Sequence, residues 1–125
     1  MANFMDSLPI YVRIAEGIKD HILMGDIKEG EQITSTTQIS KEYNISIPTV
    51  NKGISILVLE GVLFKKRGIG MFVAEGAVDK LIEERRKVFR EQYVEKMLGE
   101  AKRLRYTVDE LQQIVAEVYN EQKDK

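Results

Sequence analysis

Cysteine is absent from the sequence, which excludes disulfides and thiolate zinc sites. A single histidine, His21, cannot build a multi-histidine metal cage and argues against a Ser–His catalytic pair. It is expected as a helix surface or packing residue. No apolar run approaches the roughly 18 residues that a membrane span needs, and the opening "MANFMDSLPIYVRIAEG" carries neither a basic nor an apolar leader pattern. The expectation is a cytoplasmic chain with no membrane partner, no metal, no cofactor and no enzymatic activity. A surplus of one charge is lacking too, since 19 Lys and Arg oppose 20 Asp and Glu for a net charge of −1.

What is present suits one small domain with an extension: 125 residues, 43% hydrophobic and 31% charged. Ile10, Ile14, Ile18 and Ile22 recur at i, i+4 and predict an amphipathic helix from Leu8 to Met24. Ser7 is its expected cap, Pro9 lies in its first turn and Gly25 ends it. "GDIKEGEQI" reads as a short loop or strand. "STTQ", from Ser35, is a capping box that opens a second helix, with Ile39 and Tyr43 on its apolar face and Asn44 closing it. Directly after Ile45, Ser46 caps a third helix with Pro48 in its first turn. Val50, Ile54, Leu57 and Val58 form the expected buried face of that helix, which ends near Gly61. Helix, tight turn and helix make a helix-turn-helix pattern.

The stretch "LFKKRGIGMFV" comes next, with Val62 and Phe64 alternating before the cations and Met71 and Val73 after the glycines. It predicts a β-hairpin. Between residues 46 and 70, Lys52, Lys65, Lys66 and Arg67 face a single acid, Glu60, which makes this the one basic focus of the chain. The glycines fit neither a Walker loop nor a dinucleotide fingerprint. A ribbon with cations at its base and Gly68 and Gly70 at its tip can instead lie along a sugar-phosphate backbone and reach into a minor groove. In a helix-turn-helix the start of the second helix of the motif enters the major groove. That start is Ser46, Ile47, Pro48, Thr49, Asn51 and Lys52. Asn51 suits an adenine edge, Lys52 a guanine or a phosphate, and Ile47 or the Thr49 methyl a thymine methyl. Ser35, Thr36 and Thr37 open the preceding helix, where hydroxyls and free N–H groups hold phosphate.

Beyond "AEGA" the chain is expected to run helical to Leu104, with Val78, Leu81, Ile82, Phe89, Tyr93, Met97, Ala101 and Leu104 mostly every three or four residues. "TVDE", from Thr107 to Glu110, is a second capping box, and it opens a last helix with Leu111, Ile114, Val115 and Val118 on one face. The final "NEQKDK" is expected to fray. Arg85, Arg86, Lys87 and Arg90 are offset by Glu83, Glu84 and Glu91, as i, i+3 and i, i+4 pairs on a solvated helix. Two helices are too small to enclose an effector-sized cavity of their own. They can bury their stripes against a second copy through Leu81, Ile82, Phe89, Tyr93, Met97, Leu111, Ile114, Val115 and Val118. A two-fold pair would set two recognition helices one DNA turn, or a multiple of it, apart and match a palindromic operator.

The order of these elements resembles the winged helix-turn-helix domain of GntR-type bacterial transcription regulators over about residues 8–74. The resemblance rests on "PIY" at the first helix, G-x-(I/L)-x-x-G-x-x-(I/L) from Gly25 to Ile33 and S-x-x-T-V from Ser46 to Val50. It continues in L-x-x-E-G-x-L from Leu57 to Leu63 and K-R-G-x-G-x-F-V from Lys66 to Val73. The short two-helix tail is most similar to the YtrA subfamily. The resemblance implies a homodimeric regulator of double-stranded DNA, a repressor acting at the nucleoid, with targets that often include an ABC-transporter operon. Two departures stand out: Thr37 and Ile47 occupy places where the family often carries arginine. They favour an alternative reading, a winged domain turned to protein interaction. The expected fold is mainly α with a small β-hairpin, a winged helix-turn-helix domain at residues 1–75 and a helical dimerisation tail at residues 76–125.

Overall fold

Caps and left-handed breaks set where the helices start and stop. The computed structural model describes residues 7–123; the last two residues of the stretch expected to fray lie outside them. Its helices are α1 (Ile10–Met24), α2 (Thr36–Tyr43), α3 (Ile47–Leu59), α4 (Ala77–Phe89), α5 (Glu95–Arg103) and α6 (Val108–Lys123), with a π-helical segment at Arg90–Val94. Strands β1 (Leu63–Lys66) and β2 (Gly70–Val73) pair antiparallel, with Leu63 opposite Val73 and Lys66 opposite Gly70.

Pro9, rather than Ser7, takes the N-cap position of α1: its extended backbone keeps it outside the helix while its carbonyl accepts from the Val12 and Arg13 N–H groups. Gly25 closes α1 at φ 85° and Asn44 closes α2 at φ 53°, both left-handed as expected. At the start of α2 the Ser35 Oγ accepts from the Gln38 N–H at 3.1 Å, while the Gln38 amide turns forward to donate to Glu42. The second capping box is complete: Thr107 N–H donates to Glu110 Oε1 and Glu110 N–H to Thr107 Oγ1. The Thr107 N–H, and after it the Thr107 hydroxyl, hold the Glu110 carboxyl below its ordinary pKa.

The chain divides into two compact units after Glu84. The first carries α1 to α3, the hairpin and the opening turns of α4. Its core joins Ile18, Ile22, Val50, Leu57 and Val73 to Ala77 and Leu81, so the unit runs past the 75/76 boundary where the tail was expected to begin. Three expected facings differ. Tyr43 is 61% exposed and Val58 is exposed, because Ile39 on α2 and Val50, Ile54 and Leu57 on α3 suffice to cover the core. On the hairpin it is Leu63, not Phe64, that shares the inward face with Val73; Phe64 pairs with Phe72 on the other side and their rings stack at 5.9 Å. The segment before α2 adds to the sheet: Val73 N–H donates to Glu31 O and Ile33 N–H to Met71 O, with Gln32 bridging Phe72.

Two polar devices hold α4 onto this unit. Lys19, 2% exposed, places its Nζ 2.8 Å from Glu84, 3.0 Å from Glu60 and 3.5 Å from Glu16. Burial alone would lower the Lys19 pKa, yet the hydrogen bonds of Glu84 and Glu60 and the fields of Glu16 and Glu60 leave it raised. Glu84 therefore pairs with Lys19 of α1. Glu29 caps α4, accepting from the Gly76 N–H at 2.9 Å and the Val78 N–H at 3.0 Å. Those bonds hold the Glu29 carboxyl below its ordinary 4.5.

The second unit, from Arg85 on, contains the π-helical segment where an uninterrupted helix was expected. The wider turn inserts about one residue and so rotates the downstream face of the helix by about 100°. Phe89 just before it and Tyr93 within it have ring centroids 5.9 Å apart. Among the described residues of this unit only Ala101 is buried.

Helix α3 meets α1 at Gly53, where an added Cβ would sit 2.7 Å from the Tyr11 carbonyl oxygen and 3.2 Å from the Ile14 Cγ2. Gly53→Ala is expected to destabilise the first unit by about 1–3 kcal/mol, as overpacking does, measured by urea denaturation. Glu29→Gln should lower the melting temperature near neutral pH. A carboxyl whose folded pKa is depressed stabilises above its unfolded value and loses that contribution as pH falls through the folded one. The difference between Glu29→Gln and the wild type should therefore shrink as pH drops below the ordinary 4.5.

Candidate nucleic-acid interface

Ser46 fixes the entry to α3. Its Oγ lies 2.7 Å from the Thr49 Oγ1 and accepts from the Thr49 N–H at 3.4 Å. Pro48 occupies the first turn, where a missing N–H costs nothing. Ser46, Pro48, Asn51 and Lys52 are exposed, Ile47 is 45% exposed and Thr49 is half-buried. Two of these side chains also have partners inside the domain. Thr36 Oγ1 donates to Asn51 Oδ1 at 3.1 Å, which ties the first turn of α2 to α3. Lys52 Nζ rests 4.0 Å from the centroid of the Tyr11 ring of α1. At the opening of α2, Ser35 and Thr37 are exposed and the Ser35 hydroxyl serves as the cap.

The hairpin carries Lys65, Lys66 and Arg67 exposed. Lys66 Nζ sits 4.3 Å from the Phe72 ring and 5.9 Å from Phe64, so the aromatic pair on the outer face steers this cation. Gly68 turns the tip at φ 77°, a value side chains avoid, and Ile69 N–H closes the turn on Lys66 O at 3.0 Å. Ile69 at the tip is 63% exposed. Gln32 pins this tip: its Nε2 donates to Ile69 O at 3.0 Å, and a Cβ on Gly70 would lie 2.4 Å from that Nε2. Gly70 is required by its φ of 148°, while the Gln32 amide that rests against it is the far end of a flexible side chain.

Gln32, Tyr11, Ile69 and the Phe64–Phe72 pair are additions to the residues expected from sequence. Of these, only the phenylalanines carry a local signal, since opposite positions of a three-residue-loop hairpin can be counted from the turn. Gln32 and Tyr11 act from distant segments and have none.

The expected pairing residues divide. Leu81 is 0% exposed in the core of the first unit, so it has no surface to offer a second copy. Ile82, Phe89, Tyr93, Met97, Val115 and Val118 are exposed, and Leu111 and Ile114 are half-buried. Within the second unit α5 and α6 bound a shallow groove of about 530 Å³, lined by Met97, Leu98, Leu111, Val115 and Tyr119 among others. Among the described residues no cluster of three or more His, Asp or Glu could hold a metal, and no helix is long and apolar enough to cross a membrane.

Removing the pin should loosen the wing without unfolding it. Gln32→Ala is expected to lower the backbone order parameters of residues 67–70 in NMR relaxation, while global stability changes by no more than about 1.5 kcal/mol, the upper range for one hydrogen bond.

Residues 10–73 match the family described as bacterial regulatory proteins, gntR family. The chain is 30% identical to the transcriptional repressor NagR of Bacillus subtilis over 81 residues, 65% of this chain and 33% of the relative. It is also 30% identical to the repressor YtrA of the same bacterium over 86 residues, 69% of this chain and 66% of that one. The chain thus spans about a third of the curated repressors it matches first. A solved GntR-family regulator from Bacteroides thetaiotaomicron superposes with a TM-score of 0.75 at 31% identity, covering 91% of this chain and 99% of that one. The AraR DNA-binding domain in complex with operator ORE1 aligns with a TM-score of 0.52 at 33% identity, over 54% of this chain and 82% of its own. These relatives are regulators of transcription and not enzymes, and the fold is a winged helix. The chain belongs to the GntR family of bacterial, DNA-binding transcription regulators.

Proposed function

We propose that this protein is a cytoplasmic, dimeric repressor that acts at the nucleoid by occupying a palindromic operator and blocking the promoter. The observation that carries the reading is the exposed opening of α3, together with a cationic, glycine-tipped wing, in a domain whose alignment extends to AraR solved on its operators. In this reading Ser46, Ile47, Pro48, Thr49, Asn51 and Lys52 face the major groove, and Ser35, Thr36 and Thr37 meet phosphate. Lys65, Lys66, Arg67, Gly68 and Gly70 track the backbone into the minor groove. Asn51 Oδ1 accepts from Thr36 yet keeps a second lone pair, so a two-bond contact with adenine remains open to it.

Pairing is supported by the poverty of the tail's own core. A helix pair that buries one alanine while exposing Phe89, Tyr93, Met97, Val115 and Val118 gains too little from burial to be stable alone. A second copy of the same surface would cover it. Control of an ABC-transporter operon is the part of the proposal that rests on the YtrA-like tail alone.

Band-shift titration of the chain against its own upstream DNA at several salt concentrations tests the reading, with sedimentation velocity for the stoichiometry. The expected result is a dimer whose affinity falls with salt. Substituting Lys52, Lys66 and Arg67 together by alanine should weaken binding at least tenfold and flatten the log–log salt slope by about 0.9 for each phosphate no longer neutralised. Affinity unchanged by the triple substitution would instead favour a winged domain that binds protein.

A further inference from the structure

A cleft of about 730 Å³ opens between α1 and α2, wholly inside the first unit and lined on its floor by Ile14, Gly17, Ile18 and Ile39. Its volume lies in the range of small-molecule sites, and its make-up fits their pattern: a mostly aliphatic lining with a few polar groups at the rim. Gly17 is part of that lining. Glycine is a poor residue for a helix interior, and here no neighbour demands it, because a Cβ at position 17 would meet nothing within 4 Å. Gly53, by contrast, is required by the α1–α3 contact. The space over Gly17 belongs to the cleft.

The rim carries both signs of charge, and they differ in how they are held. Glu42 accepts from Gln38 on its own helix at 3.2 Å, and the His21 Nδ1 is held 2.9 Å from Asp26. Arg13 lines the same cleft and is exposed, and its guanidinium has no partner among the described residues. We propose that the cleft is a binding site for a small molecule with an apolar body and one anionic group, the body lying over Gly17 and the anion meeting the Arg13 guanidinium.

Occupancy would act on the groove-reading helix. One wall is α2 with its trailing turn, through Ile39, Tyr43 and Ile45. The same helix holds Asn51 of α3 through Thr36, and Ser40 Oγ donates to Ile45 O to close the turn that leads into α3. A body wedged between α1 and α2 shifts both connections, so filling the cleft lowers operator affinity. This regulatory half rests on the operator-binding reading; the binding half does not.

The test uses the full chain, with decanoate as the anionic probe and decyltrimethylammonium as its cationic counterpart. Binding is monitored at the isoleucine δ1 methyls by NMR. Decanoate is expected to shift Ile14, Ile18 and Ile39 and to leave Ile114 of the tail in place. Gly17→Leu fills the space with a better helix former, so circular dichroism and melting should be retained while decanoate affinity falls at least tenfold. Arg13→Gln should weaken decanoate several-fold and erase its preference over the cation. Saturating decanoate should lower operator affinity at least threefold in the wild type and not in Gly17→Leu. Shifts confined to the tail, equal binding of the two probes, or undiminished binding by Gly17→Leu would each overturn the site. Operator affinity unaltered by an occupied cleft would overturn the regulatory half. A chain that binds decanoate at these methyls yet ignores DNA would sink the operator reading while leaving the site standing.

Discussion

Helix α3 crosses α1 with no side chain of its own at the point of contact. At Gly53 the two backbones approach so closely that one methyl group would displace the Tyr11 carbonyl, and this fixes how α3 is rotated about its own axis. Val50, Ile54 and Leu57 then point into the core, and Asn51 and Lys52 are left on the outside. A helix that reads base edges must present them at a defined angle, because hydrogen bonds weaken steeply with misalignment. The orientation of the candidate reading surface is therefore set on its opposite face, by what α3 buries. Lys52 shows the coupling directly: its charge lies over Tyr11, the same residue whose carbonyl limits the approach at Gly53.

The same economy governs the wing. A two-stranded hairpin is marginal in water by itself, and this one is held by its surroundings. Leu63 and Val73 anchor its base in the core, Glu31 and Ile33 add backbone bonds along β2, and Gln32 fastens the tip. Lys66 is directed by the Phe64–Phe72 face. Cations held by ring contacts give up less rotamer freedom on meeting phosphate than free ones do. In a chain where 19 cations are offset by 20 acids, where the cations are placed counts for more than their number.

How far the sequence discloses this arrangement depends on the range of the cause. Caps, breakers and turns act within a few residues, so Ser35, Asn44, Ser46, Gly68 and the Thr107–Glu110 box can be located from their neighbours alone. Facing on a short strand is harder to read. Val62, Leu63 and Phe64 are all apolar, and the inward residue is decided by the register with Val73 rather than by local pattern. Leu81 fits a tail stripe and a domain core equally well by spacing; the Lys19–Glu84 pair and the Glu29 cap, contacts between residues far apart in the chain, draw it into the core. Gln32 over Gly70 leaves no local trace for the same reason, being a product of tertiary approach.

The buried lysine bears on where flexibility can enter. Its carboxylate partners come from α1, from the C-terminal end of α3 and from α4. Each is partly exposed, so water shares the charge, and the cluster costs less desolvation than a fully buried triad would. A single cation held by three acids tolerates small displacements of any one of them better than a single pair does, because the remaining partners keep Nζ satisfied. The α1–α3–α4 side of the unit is thus tied by adaptable electrostatics and by the hard contact at Gly53. The α1–α2 side has neither: it meets across the open cleft above Gly17. Of the two helices that flank the tight turn, α2 is accordingly the less tightly held, and its displacement would act on the exposed face of α3 through the Thr36–Asn51 contact.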